Sequence, residues 1–243
     1  MHFFNEVDST NAEAKRVITD GIIQDMLLIA TKQTAGRGRA SRTWFSPEGG
    51  LYFSLVTKPR LGPENAPLHS LLCGCAVAKG VQALGIKNVR LKWPNDVLVM
   101  EDKIAGILNE LVTVDSKTSW IILGVGINHN VTIDDFPEDL ANTSTSIRDI
   151  LGEKSSPETL LSIIISEMDE MLVTVEDEQS FSSILREWKK LSGTLGRRIR
   201  VDDGNQVYSG LAETILEDGS LVILTENGRE KITMGDVTHL RRD

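Results

Sequence analysis

The sequence predicts an α/β (α+β) protein with a small all-β unit attached at its C-terminal end. Two observations carry this. Through Leu191, apolar runs of strand type alternate with runs of helical period, the pattern of helices packed on a mixed sheet. Beyond Leu191 the pattern shortens to Arg198–Val201, Tyr208–Ala212, Leu221–Leu224 and Ile232–Met234. Two hairpin-forming turns, Asp202-Asp203-Gly204-Asn205 and Glu217-Asp218-Gly219-Ser220, separate the first three runs. Short antiparallel strands of this kind close into a small barrel. The boundary falls near Ser192-Gly193, giving units 1–192 and 193–243.

The elements follow in order. Phe3 and Phe4 open a short strand ending at Asp8. Thr10 and Glu13 have capping-box spacing for a helix to about Thr19, and Ser9 and Thr10 serve equally as plain caps or as donors to a polar ligand at a helix start. Met26–Thr31 reads as a buried strand that delivers Gln33 to a Gly/Arg/Ser-rich stretch, Gly36-Arg37-Gly38-Arg39-Ala40-Ser41-Arg42-Thr43-Trp44-Phe45. The glycines there are expected to supply positive φ and close backbone approach. The guanidinium groups suit carboxylate or phosphate, and the indole suits a planar or apolar group. The stretch is also compatible with a solvated connection or a nucleic-acid contact.

Leu51–Thr57 is the next strand, and Leu68–Leu84 a core helix stopped by Gly85. Cys73 and Cys75 lie within that helix, one residue apart, and read as core thiols rather than a redox or zinc pair. Lys92-Trp93-Pro94-Asn95-Asp96 forms a turn before the strand Val97–Met100. Lys103 starts another strand that Gly106 interrupts, and Gly124 and Gly126 leave one face of a further strand flat before Asn128. Residues 134–146 are expected to be loop, with helices at Ile147–Leu151, from Pro157 to about Val173, and at Phe181–Leu191.

Net charge narrows the partners. The 243 residues carry 26 Lys and Arg against 35 Asp and Glu, a net −9. Phosphate-lined polymers and anionic membranes need a basic face, so this balance disfavours a general nucleic-acid or membrane binder. Yet residues 31–60 hold six basic residues and one acidic, Glu48. A compact positive loop on an acidic protein fits a small anion. No Walker P-loop, covalent-nucleophile triad or metal-spaced histidine set is visible. With no signal-peptide pattern and no apolar run of about 18 residues, a cytoplasmic location is expected.

Five ordered motifs remain: Asp8-Ser9-Thr10-Asn11; Gln33 to Arg39 with Trp44-Phe45-Ser46-Pro47; Lys92 to Asp96; Lys103 to Leu108; and Gly124 to Asn128. Together they strongly resemble the biotin–protein ligase family, and the C-terminal β segment is similar to that family's SH3-like domain. The resemblance implies a class II aminoacyl-tRNA synthetase-like catalytic domain, with ATP and biotin as substrates and Mg²⁺. It also implies transfer of biotin to a lysine on the biotin-acceptor domain of a carboxylase.

Carried onto this chain, the resemblance makes Lys103, Arg37 and Arg39 catalytic. It puts Ser9, Thr10, Asn11, Gln33, Gly38, Gly106 and Gly124 on biotin, Trp44, Lys92, Asn95 and Asn128 on the nucleotide, and Asp96 on the metal. A glycine usual in the family near Ser41 is missing, so the loop should turn differently, and it is expected to be mobile in the empty protein. Only seven residues precede Asp8, so a DNA-binding domain and repressor function are not expected, while exposed strand edges allow a homodimer. The alternatives are a lipoate–protein ligase on the same fold, or a non-catalytic sensor or RNA-binding module.

Overall fold

A computed structural model describes residues 1–21, 24–114 and 118–240. The first unit runs β1 (His2–Phe4), α1 (Thr10–Thr19), β2 (Met26–Ala30), β3 (Leu51–Thr57), α2 (Ala66–Ala83), β4 (Val89–Lys92), β5 (Asp96–Val99), β6 (Asp102–Val114) and β7 (Thr118–Ile127). It continues with α3 (Glu138–Ala141), α4 (Ile147–Leu151), α5 (Pro157–Glu178) and α6 (Ser182–Leu191). Five strands follow: β8 (Arg198–Asp202), β9 (Val207–Ile215), β10 (Leu221–Thr225), β11 (Gly228–Ile232) and β12 (Asp236–His239).

The first seven strands form one sheet in the order β1-β2-β3-β7-β6-β5-β4, with only the β1–β2 pair parallel. Side-chain alternation sends neighbouring residues to opposite faces. Ile29 and Phe53 thus join the large core with α2, α5 and α6, while Leu28 and Val56 join Ala14 and Ile18 of α1 with Trp120 and Ile122 on the other face. Helix α2 is apolar nearly all round because it is covered by α5 and α6 as well as the sheet; Cys73 and Cys75 are free and fully buried within it. Helix α1 is only ten residues long, so it covers part of its face and leaves the rest open.

The second unit is a five-stranded antiparallel sheet, β11-β10-β9-β8-β12. Trp93 ties it to the first. Its indole donates to the Gly219 carbonyl at 3.0 Å, and its backbone N–H donates to the Thr194 hydroxyl at 3.1 Å.

Several boundaries differ from expectation. Ser9, not Thr10, is the α1 cap, its hydroxyl accepting from the Ala12 N–H, while Glu13 turns outward to Arg16. Residues 134–146 hold a short helix, α3, rather than loop alone, and α5 continues to Glu178. Strand β6 is 13 residues long and runs on past the Lys103–Leu108 motif, because it pairs with β7 through Val114. In the second unit the strand expected at 232–234 lies at Gly228–Ile232, and Asp236–His239 adds a further one.

Trp93→Phe should strip the donor from a buried carbonyl together with the part of the ring that carries it. It is expected to destabilise the protein by about 1–3 kcal/mol in urea unfolding. Unchanged stability would show that the Gly219 contact contributes nothing.

Candidate active site

On the open part of the α1 face the sheet carries glycine at three neighbouring positions. Gly106 of β6 pairs directly with Gly126 of β7, and Gly124 lies two residues along on the same face. A β-carbon at Gly126 would collide with the Trp44 indole, one at Gly124 with the Asn11 carboxamide, and one at Gly106 would come within 3.0 Å of the Trp44 ring. These glycines floor a cavity of about 1050 Å³. Trp44 lies across two of them, and its buried indole N–H has no hydrogen-bond partner among the described residues. Such a donor is costly unless a ligand satisfies it.

One wall is the start of α1. The Thr10 backbone N–H donates to the Gln33 carboxamide oxygen at 2.9 Å, and Gln33 Nε2 donates to the Ser46 hydroxyl at 2.9 Å. Asn11 donates to Glu110 at 2.9 Å and accepts from Ser54 at 2.6 Å. Glu110 also pairs with Lys15 at 2.6 Å and lies 3.5 Å from the Arg37 guanidinium. Burial acts to raise the Glu110 carboxyl, but the Lys15 and Asn11 hydrogen bonds and the Arg37 charge outweigh it and hold it below its ordinary value.

The arginine stretch bends over the cavity. Neither Gly36 nor Gly38 has positive φ, contrary to expectation; Gly36 is glycine because a β-carbon there would clash with Ser46 and the Trp44 carbonyl. The left-handed residues are Ala40 (φ 50°) and Ser41 (φ 61°). Ser41 therefore occupies the conformation in which a glycine would carry no β-carbon penalty. Arg39 donates to the Asn95 carboxamide at 3.1 Å and to the Gly235 carbonyl at 3.3 Å, while Arg42 pairs with Asp236 at 2.5 Å. The second unit thereby helps to hold the stretch.

Opposite stands Lys103, fixed through its backbone by the Thr143 and Thr145 peptides at 2.9 Å each. Its ammonium pairs with Asp96 at 2.7 Å and lies 5.0 Å above the Trp44 ring centroid, a cation–π distance. Asn128 donates to the Thr145 carbonyl at 3.0 Å, bracing the same segment. Burial, reinforced by the Lys103 charge, lowers the pKa of Lys92 below the ordinary amine value, and burial likewise lowers Arg39.

Every site residue expected from the sequence lines this one cavity, from Ser9, Thr10, Asn11 and Gln33 through Arg37, Gly38, Arg39 and Trp44 to Lys92, Asn95, Asp96, Lys103, Gly106, Gly124 and Asn128. Sequence reasoning missed Phe136, whose ring meets Phe45 edge-on at 5.1 Å, together with Arg197, Asp236 and His239 of the second unit. His239 Nδ1 accepts from Arg197 at 3.0 Å; burial first, then the Lys92 and Arg197 charges, pull its pKa down to about 4. It also missed Ser54 and Glu110 behind the wall. A serine at the centre of the buried run Leu51–Thr57 was the available signal for the first.

Gly126→Ala should drive Trp44 off the floor. A shift in indole emission that Trp44→Phe abolishes is the expected result; an unaltered spectrum would mean that the floor can absorb a methyl group.

The chain was compared with known proteins. The model of the Biotin/lipoate A/B protein ligase family matches residues 4–128, and that of the Biotin protein ligase C terminal domain matches residues 194–240. The chain is 32% identical over 232 residues to the bifunctional ligase/repressor BirA of Bacillus spizizenii, covering 95% of this chain and 71% of that protein. It is 30% identical to the biotin–[acetyl-CoA-carboxylase] ligase of Paracoccus denitrificans, covering 95% and 96%. Among solved structures it matches the biotin protein ligase from Aquifex aeolicus in complex with biotin and ATP, with a TM-score of 0.84, 31% identity and coverage of 99% and 98%. The class II synthetase-like fold with its small C-terminal β domain agrees with these matches. The chain belongs to the biotin/lipoate A/B protein ligase family.

Proposed function

We propose that this protein activates biotin with ATP and transfers it to a lysine of a biotin carboxyl carrier protein. In the first step a biotin carboxylate oxygen attacks the α-phosphorus, the bond to the β-phosphate breaks, and pyrophosphate leaves biotinyl-5′-adenylate. In the second the neutral acceptor amine attacks the acyl carbon and AMP departs. The observation that carries the reading is the glycine floor with Lys103 and the arginine stretch converging on it.

Each role follows from physical need. Two anions must meet, so cations have to offset their repulsion and the charge of the transition state. Lys103 serves the carboxylate and α-phosphate, and Arg37 and Arg39 the phosphates. Ser9, Thr10, Asn11 and Gln33 address the polar ureido end, Gly38, Gly106 and Gly124 give room, and Trp44 separates ligand from strand. Lys92, Asn95 and Asn128 belong to the nucleotide side.

Magnesium fits as an ion carried in by the triphosphate, because Asp96 lines the cavity beside Lys103 and phosphate oxygens commonly complete such a shell. It would neutralise phosphate charge there. Among the described residues no cluster of three His, Cys, Asp or Glu forms a ready-made protein metal cage.

The division into a catalytic unit 1–192 and an SH3-like unit 193–243 is part of this proposal, with the second unit supporting the arginine stretch. No helix among the described residues is long and apolar enough to cross a membrane. The partner proposed is a carboxylase acceptor domain, not DNA. A homodimer is also expected, because β5 pairs with β6 only up to Gly106 and leaves its outer edge open beyond. Sedimentation that stays monomeric at every concentration would exclude it.

Lys103→Ala should raise the barrier to adenylate formation by at least about 2 kcal/mol, seen as slower biotin-dependent pyrophosphate release. A near-normal rate would remove Lys103 from its role. The same assay run with lipoate in place of biotin discriminates the sister activity: release with lipoate alone would overturn the biotin assignment.

A further inference from the structure

Residues directly opposite one another on neighbouring strands share a face of the sheet. One such row crosses the cavity: Gly126 of β7 pairs with Gly106 of β6, Gly106 with Asp96 of β5, and Asp96 with Lys92 of β4. The floor glycines thus lead straight to Lys92, which stands on the last strand of the sheet and lines the cavity. The start of α1 stands at the other end, over β3 and β7, where Thr10 touches Ser54 and Asn11 covers Gly124. A ligand with its polar ring at α1 and its reacting end at Lys103 therefore points across the strands toward Lys92.

The other cations at that end are already matched. Lys103 pairs with Asp96 at 2.7 Å, Arg42 with Asp236 at 2.5 Å and Arg197 with Glu101 at 2.8 Å. Asp96 and Asp236 attract the Lys92 ammonium through space, but it has no ion-pair or hydrogen-bond partner among the described residues. Its charge is felt nearby: after burial, Lys92 is the strongest influence holding His239 down at about 4. A buried cation without an anion partner is costly, and that cost is recovered when an anion arrives.

The direction of the chemistry decides which anion. Displacement at phosphorus runs in line, with the attacking and leaving oxygens on opposite sides. Biotin attacks from the α1 side of Lys103, so the departing oxygen lies on the far side, toward β4. We propose that Lys92 is a further catalytic residue, which holds the β- and γ-phosphates of ATP and stabilises the pyrophosphate as it leaves. The inference rests on the biotin reading above and refines the place of Lys92 on the nucleotide side. As the carboxylate oxygen bonds to the α-phosphorus, the bridging oxygen departs with its bonding pair. The Lys92 ammonium offsets that charge, and no proton has to move. The adenylate that remains makes no use of Lys92.

Lys92→Met keeps the length of the side chain and removes the charge. Three quantities are compared with wild type: the rate of biotin-dependent pyrophosphate release, the KM for inorganic pyrophosphate in ATP synthesis from biotinyl-5′-adenylate, and the affinity for biotinyl-5′-adenylate by calorimetry. The expected result is release slowed about tenfold or more and the KM for pyrophosphate raised by a similar factor, with adenylate affinity held within about twofold. Lys103→Met, by contrast, should weaken the adenylate as well, because Lys103 stands at the α-phosphate that the adenylate keeps.

A normal release rate in Lys92→Met would overturn the proposal, as would slow release with an unchanged KM for pyrophosphate. Loss of adenylate affinity in that variant would overturn it too, since Lys92 would then support the site as a whole rather than the leaving group. Retained adenylate affinity also shows that the variant is folded. A wild-type protein that releases no pyrophosphate with biotin and ATP would instead sink the functional reading itself.

Discussion

The constraint on which this structure depends is a gap in its own sheet. Where β6 and β7 pair, Gly106 faces Gly126, so the middle of a seven-stranded sheet presents bare backbone on one face. Bare backbone inside a protein has to be covered. Helix α1 is too short to do so, and Trp44 does it only in part. The register carries polar groups to the margins of the gap: Asp96 pairs with Gly106 from β5, and Ser54 pairs with Gly124 from β3. Lys103 and the α1 start then stand at opposite sides of one floor. The rest of the site is built on that geometry.

Charge is the second constraint, and it is handled locally. A protein with net −9 has to bring two anions together, and it does so by concentrating cations on one stretch and one strand. Each of these cations has a partner within the protein: Asp96 for Lys103, Glu110 for Arg37, and Asn95 with the Gly235 carbonyl for Arg39. Partners at such distances hold long side chains near their working positions, which lowers the ordering cost when ligand arrives.

Much of this was legible in the sequence, because glycines within strands and Asx or Ser/Thr residues at element ends mark backbone that must bend or be approached closely. The five motifs named every residue later found on the cavity wall that had been assigned a role. What stayed hidden was long-range. Glu110 reads as an ordinary solvated strand residue until Asn11, 99 residues away in sequence, is folded against it. Strand β12, Asp-Val-Thr-His, is too short and too polar to announce itself; only pairing with β8 makes it a strand. The positive φ at Ser41 was hidden for a different reason. A serine does not advertise a left-handed conformation, and the conspicuous glycines nearby drew the expectation to Gly36 and Gly38 instead.

The anchoring of Arg42 on Asp236 and of Arg39 on Gly235 has a consequence for biosynthesis. Residues 1–192 contain the sheet, its floor and all the residues assigned to biotin, and are made before the wall built by Asp236 and His239. A nascent chain on the ribosome thus has the floor of its cavity before it has the anchor for the arginine stretch. The Asp236 and Gly235 anchors of that stretch exist only once translation has reached the last strand.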